Sequence, residues 1–401
     1  MLAFQSARVL LERFLANNQG APPLEGSANR VCAKVGDAFG GSLQSPYLLV
    51  FEPWAHVGVN PHGEAVVASA SVAALARAIA DVDTRISPLW SDGISPASHH
   101  ECAQALGVVL EGGDPSVFDP TTFAGAAYEP AALVAFCEQL LLRRWQWGGP
   151  LIGICLGHQL IAAALLDLVR RAVKAASAPD APGALRTAAA RIAELGDTLA
   201  VRKRDGREVA RGWQAPRFSV SRNELPELGA VTLRPYVSAL ASGAPRALIE
   251  SHQEIADSLS GVIDVRLAAQ QRLTIAMFHG DEVNETAMLF VNWSLQALSA
   301  AVSQHRDELA VGERRWMLEL PFAVEILAST WCDGEPLTEC AAMAISYRDH
   351  VSGQIRRSYS VQFHPELQSD LRDANKRPLP VYDELRQDDG ARLLARLLCE
   401  H

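Results

Sequence analysis

Short apolar runs bounded by Gly, Pro, Asn and Asp alternate along the chain with longer apolar stretches at helical spacing. Read this way, strands are expected at Tyr47–Phe51, Thr84–Trp90, Leu106–Leu110, Leu151–Ile154, Leu273–Phe278, Val324–Ala328, Ala341–Ile345 and Ser358–Phe363. Helices are expected at Ala3–Ala16, Ser69–Ala80, Pro130–Trp145, Leu160–Val173, Ala184–Leu195 and Val381–Leu398. From Tyr47 to Ile154 the order is strand, helix, strand, strand, helix, strand. That is the pattern of an α/β fold with a mostly parallel central sheet flanked by helices. The loop-like Asn17–Pro46 makes residues 1–46 an N-terminal helix and extension, with the main domain over 47–401.

The junction of one strand and one helix stands out. Gly153-Ile154-Cys155-Leu156-Gly157 follows the pattern Gly-x-nucleophile-x-Gly, with sulfur at its centre. A strand-to-helix turn this sharp leaves no room for side chains at the flanking positions, hence the glycines. The turn puts the Cys155 thiol at a helix N-terminus, which favours thiolate, and frees the Leu156 N–H for a developing oxyanion. The competing reading is a buried structural cysteine.

Composition narrows the choices. An apolar content of 49 % over 401 residues supports a large core, and a net charge of −10 argues against nucleic acid or an anionic membrane as partner. Seven cysteines without regular spacing and without a Cys-x-x-Cys pair point to a reduced, cytoplasmic setting and no zinc site. No signal peptide is visible, and the apolar Leu151–Val169 is broken by the Gly-rich turn, which excludes a transmembrane span. The basic cluster Arg202, Lys203, Arg204, Arg207 and Arg211 reads as a solvated face or as an anion site.

A second stretch completes the chemistry. Ser358–Phe363 runs into His364-Pro365-Glu366. Residues two apart in an extended segment face the same way, so Glu366 can orient His364, and His364 can take the Cys155 proton. Gly112-Gly113 also ends a strand, and ligands of parallel sheets sit at the carboxyl ends of strands.

Four motifs together resemble the class I, triad-type glutamine amidotransferase family. They are Leu110-Glu111-Gly112-Gly113, Gly153-Ile154-Cys155-Leu156-Gly157-His158-Gln159, Phe278-His279-Gly280-Asp281 and Val361-Gln362-Phe363-His364-Pro365-Glu366. They occur in the family's order. The resemblance implies a flavodoxin-like sheet, a Cys155-His364-Glu366 triad, and an oxyanion hole from the Gly113 and Leu156 N–H groups. It also implies that Gln159 helps hold glutamine and that Gly112, His279 and Gly280 lie beside it, with no cofactor and no metal.

The chain departs from the family at three places. Glu111 stands where a small polar residue is usual and Asp114 where proline is common; both carboxylates alter substrate choice or point outward or cap a helix. Cys155 and His364 stand 209 positions apart. The excess falls at about 175–267, which opens on Ala178-Pro179-Asp180-Ala181-Pro182 and is expected as an inserted subdomain outside the sheet, either a lid or partner surface or a decoration. No phosphate-binding loop of a fused synthase is present. The resemblance therefore implies a glutaminase that releases ammonia or hands it to a separate synthase chain. Three alternatives remain open: a γ-glutamyl peptidase or amide hydrolase on the same triad, a partner-dependent regulatory or scaffold protein, and a homoserine-type acyltransferase.

Overall fold

The computed structural model describes residues 47–52, 83–88, 105, 107–112, 116–119, 121–123, 126–143, 150–203, 206–237, 244–259, 274–309, 314–332, 335–348, 354–365 and 397. The expected helices Ala3–Ala16, Ser69–Ala80 and Val381–Leu398 lie outside these, apart from Leu397.

The elements, in chain order, are β1 (Tyr47–Glu52), β2 (Asp83–Pro88), β3 (Gly107–Leu110), β4 (Thr121–Phe123), β5 (Ala126–Tyr128), α1 (Pro130–Arg143), β6 (Leu151–Ile154) and α2 (Leu156–Ala176). There follow α3 (Gly183–Thr198), β7 (Ala200–Arg202), β8 (Glu208–Arg211), β9 (Val220–Pro235), α4 (Arg246–Ser258), β10 (Thr274–Val283) and α5 (Glu285–Gln304). The last are β11 (Ala323–Cys332), β12 (Glu335–Pro336), β13 (Ala342–Arg348) and β14 (Ile355–Val361).

One sheet organises the molecule, in the order β10-β9-β11-β13-β14-β6-β3-β1-β2. From β2 to β14 every neighbouring pair is parallel. Among these five strands the order is second, first, third, fourth, fifth, which is the flavodoxin-like arrangement. From β14 outward through β13, β11, β9 and β10 the pairing is antiparallel. The fold is thus α/β with a parallel centre flanked by helices.

β3 and β6 are buried along their whole length, as is β1 from Leu48 to Phe51, which is why these three read as uninterrupted apolar runs. Along β3, Val108 and Leu110 enter one apolar cluster and Val109 the other. The first cluster takes the apolar stripes of α1, α2, α3 and α5, so these helices cover one face. The second lines the opposite face with Val50, Ile152, Ile154, Val361 and Phe363, and Leu397, itself helical, packs there.

The segment 175–267 corrects one expectation. Its strand β9 is a member of the central sheet, between β10 and β11, and does not stand outside it. Leu185, Ile192, Trp213 and Phe218 join the same apolar cluster as α2. Pro226 and Gly229 hide this strand from pattern reading, since both are depleted in strands. The ladder accommodates the proline: β9 pairs with β10 at Arg222 and resumes at Glu227, with Pro226 in the unpaired stretch between. Helix α5 likewise has no counterpart among the expected elements.

No described helix is long and apolar enough to cross a membrane.

Candidate functional site

β6 ends at Ile154 and α2 begins at Leu156, so Cys155 alone makes the turn. Its backbone sits at φ 49° and ψ −103°. It is the one non-glycine residue with positive φ among the described residues. Such a conformation costs about 1–3 kcal/mol and persists only where the surroundings enforce it. Two hydrogen bonds do so: Cys155 N–H donates to the Val361 carbonyl at 2.8 Å, and Gln159 N–H donates to the Cys155 carbonyl at 3.1 Å.

The flanking glycines are required by contact. A Cβ on Gly157 would lie 2.3 Å from the Leu110 carbonyl oxygen, and one on Gly153 would lie 2.9 Å from the Gly157 backbone. The helix therefore starts against the ends of β3 and β6 with no side chain between. The first N–H groups of α2, that of Leu156 included, have no intrahelical partner by geometry.

Gly112, one residue beyond the end of Leu110-Glu111, shows what gathers around the thiol. A Cβ there would lie 2.8 Å from His364 Cε1 and 3.0 Å from Cys155 Cβ. The His364 ring and the Cys155 side chain thus flank the same glycine. The three residues come from the carboxyl ends of β3, β6 and β14, which are adjacent in the sheet. Gly113, Asp114 and Glu366 lie outside the described residues.

Glu111 is 1 % exposed, which overturns the expectation that it points outward; its N–H donates to the Phe51 carbonyl at 3.0 Å.

The other motif residues form a second layer. Gln159, one turn into α2, is buried, and its Nε2 donates to the Asp281 backbone carbonyl at 2.7 Å. The Asp281 carboxylate accepts from the Ser116 hydroxyl at 2.7 Å and from Arg222 Nε at 3.4 Å. Arg222 also reaches Asp119 at 2.7 Å. The register of β10 on β9 shifts between His279 and Asp281, and Gly280 is exposed at this bulge. His279 is buried with Nε2 3.4 Å from the Thr338 hydroxyl. The structure therefore ties Gln159, Asp281 and the 116–119 stretch together. Arg222 and Ser116 escaped sequence reading because neither belongs to a motif.

His158, next to Gln159, faces away from this chemistry. Its Nε2 lies 3.0 Å from the Cys340 carbonyl oxygen, which can only accept, so Nε2 carries the proton and Nδ1 accepts from the Ser360 hydroxyl at 2.8 Å. Burial pushes its pKa down to about 3 from an ordinary value near 6.5; the nearby His279 adds to this and the Cys340 bond opposes it. Above pH 6.5 the ring is neutral folded or unfolded and contributes no pH dependence. As pH falls below that, the unfolded chain takes a proton that the folded chain refuses, so stability falls, by up to about 1.4 kcal/mol per pH unit. A His158→Gln protein should be less stable at pH 7 and show a shallower loss between pH 6.5 and 4. Urea unfolding midpoints across that range check both signs.

The other described thiols are inert by the same physics. Burial pushes Cys137 and Cys340 well above the ordinary thiol range. In the basic cluster, Glu208 pairs with Arg202 and Arg211, and Glu282 pairs with Lys203, so acids of the same region take up these charges. Among the described residues no group of three or more His, Cys, Asp and Glu is placed to hold a metal ion.

No protein-family model matches the chain, and no curated protein does. Among solved structures, it is similar to the glutaminase domain of Trypanosoma brucei CTP synthase with bound acivicin, at 13 % identity and a TM-score of 0.36, covering 86 % of this chain and 94 % of that one. At that identity and TM-score the likeness assigns no residue a role.

Proposed function

We propose that the chain is a glutamine amidotransferase-type glutaminase, which hydrolyses the γ-amide of glutamine through a thioester on Cys155. The observation that carries this reading is the meeting of Cys155 and the His364 ring around Gly112, at the ends of adjacent parallel strands.

Each residue then has a task. The Cys155 thiolate attacks the carboxamide carbon, with its proton taken by His364. The Leu156 and Gly113 N–H groups receive the oxyanion of the tetrahedral intermediate. His364 protonates the departing ammonia, then takes a proton from the water that cleaves the thioester. Glu366 orients the imidazole and balances its charge. Gln159, with Nε2 committed to Asp281, presents Oε1 to the substrate, and Gly112, His279 and Gly280 border it. Ammonia leaves to solvent or to a separate synthase chain.

An electrophilic glutamine analogue tests the reading directly. It should modify Cys155 and spare the other six cysteines, of which Cys137 and Cys340 are buried and held as thiols. Peptide mass mapping of the adduct to another cysteine would refute it. The second layer gives a subtler expectation. Arg222→Ala frees the Asp281 carboxylate and loosens the acceptor that holds Gln159. The KM for glutamine should rise about 3–10-fold with kcat nearly unchanged, since a half-exposed charged contact supports binding and not chemistry.

A further inference from the structure

β14 runs parallel to β6 with Val361 opposite Ile154. The next residue on each chain is then Gln362 on one side and Cys155 on the other. Val361, Phe363 and Cys155 all belong to the apolar cluster of the second face, and Gln362 stands between the first two in the chain. The Gln362 backbone is fixed by its N–H donating to the Ala341 carbonyl at 2.8 Å. Its side-chain Nε2 donates to Cys155 Sγ over 3.9 Å.

The amide is fully buried, and its Oε1 accepts no hydrogen bond among the described residues. A buried amide oxygen without a donor lowers stability. A leucine of similar size would fill the space without that loss. The contribution of this side chain therefore lies in its N–H, and that N–H is on the sulfur. A thiolate accepts a hydrogen bond far more strongly than a thiol, so a locked donor favours the ionised form.

We propose that Gln362 is a positioning residue for the nucleophile: its amide N–H holds the Cys155 sulfur at the elbow and favours thiolate over thiol. The inference rests on Cys155 being the nucleophile of the proposed reaction. Three ionisable side chains near the elbow stand among the described residues. His364, three residues beyond the end of β14, flanks Gly112 together with Cys155. Glu111, at the end of β3, is buried. His158, on α2, is directed to Ser360 and the Cys340 carbonyl. Gln362 adds a neutral donor that does not change with pH.

Alkylation of the full chain by iodoacetamide, followed at the Cys155 peptide from pH 5 to 10, reads the sulfur without any substrate. In Gln362→Leu the pH midpoint of alkylation should rise by about one unit, so that the rate below the midpoint falls about tenfold. In Gln362→Glu, which sets an anion beside the sulfur, it should rise further. Stability to urea should be unchanged or higher in Gln362→Leu, whereas a purely structural glutamine would lose stability and leave the profile in place. Gln362→Met serves if the leucine variant does not fold. Midpoints equal to that of the unaltered chain in both the leucine or methionine and the glutamate variants would overturn the proposal. A chain that is silent on glutamine yet shows the shift would keep the role of Gln362 and reject the amidotransferase reading. Glutamine turnover without the shift would do the reverse.

Discussion

A Cys155→Ala chain is expected to lose glutamine hydrolysis by at least about 10⁴-fold, because removing a nucleophile leaves only binding and oxyanion stabilisation. The same residue carries an unusual stability signature. Cys155 holds φ 49° and ψ −103°, a region that suits glycine and strains a side chain. A structural cysteine should cost stability when removed. A nucleophile held in strain should not. Cys155→Gly is therefore expected to be as inactive as Cys155→Ala and at least as resistant to urea as the unaltered chain. The relieved strain, about 1–3 kcal/mol, offsets the small apolar contact and the long Gln362 hydrogen bond that are lost with the sulfur. Ammonia release and urea unfolding on the two variants check both halves. Retained hydrolysis in either would remove Cys155 from the chemistry.

The second large effect concerns the turn itself. Alanine is the better helix former by about 1 kcal/mol, so Gly157→Ala would stabilise an ordinary helix. Here the new Cβ would lie 2.3 Å from the Leu110 carbonyl oxygen and 2.8 Å from Leu110 Cβ. Neither neighbour is the mobile end of a side chain; one is backbone in the centre of the sheet. The start of α2 must retreat from β3, which separates Cys155 from Gly112 and His364. The expected cost is about 3 kcal/mol or more in urea unfolding, with most of the activity. Gly183, the first residue of α3, has nothing within 4 Å of the same built Cβ. Gly183→Ala should be neutral or mildly stabilising, and it serves as the internal control. A Gly157→Ala chain as stable as that control would contradict this packing of α2 against β3.

The parts of this architecture that were legible in the sequence are those fixed by local constraint. The Leu151–Ile154 run is apolar because both faces of β6 are covered, and its end is marked by glycines that the turn requires. The descent of Ser358–Phe363 into His364 is equally local, and its pairing with β6 follows the parallel order. The remainder depends on contacts distant in sequence. β9 joins the sheet although Pro226 and Gly229 interrupt its pattern, because its ladder with β10 breaks where the proline stands. Helix α5 is apolar on more than one side, since it lies between the sheet and α3, and its periodicity is blurred accordingly. The Arg222 and Ser116 contacts to Asp281 span 59 and 165 positions. No short motif could carry them. Gln362 was in view beside His364, but only the register of β14 on β6 brings it to the sulfur.

Ammonia release by the purified chain from glutamine, set beside release from γ-glutamyl amides and peptides, tests the assignment of Cys155 and His364 most directly. Glutamine should be hydrolysed to glutamate and ammonia in equal amounts, and this activity should disappear in Cys155→Ala and His364→Ala. Turnover of the larger γ-glutamyl compounds with none of glutamine, or silence on all of them from a folded chain, would contradict it.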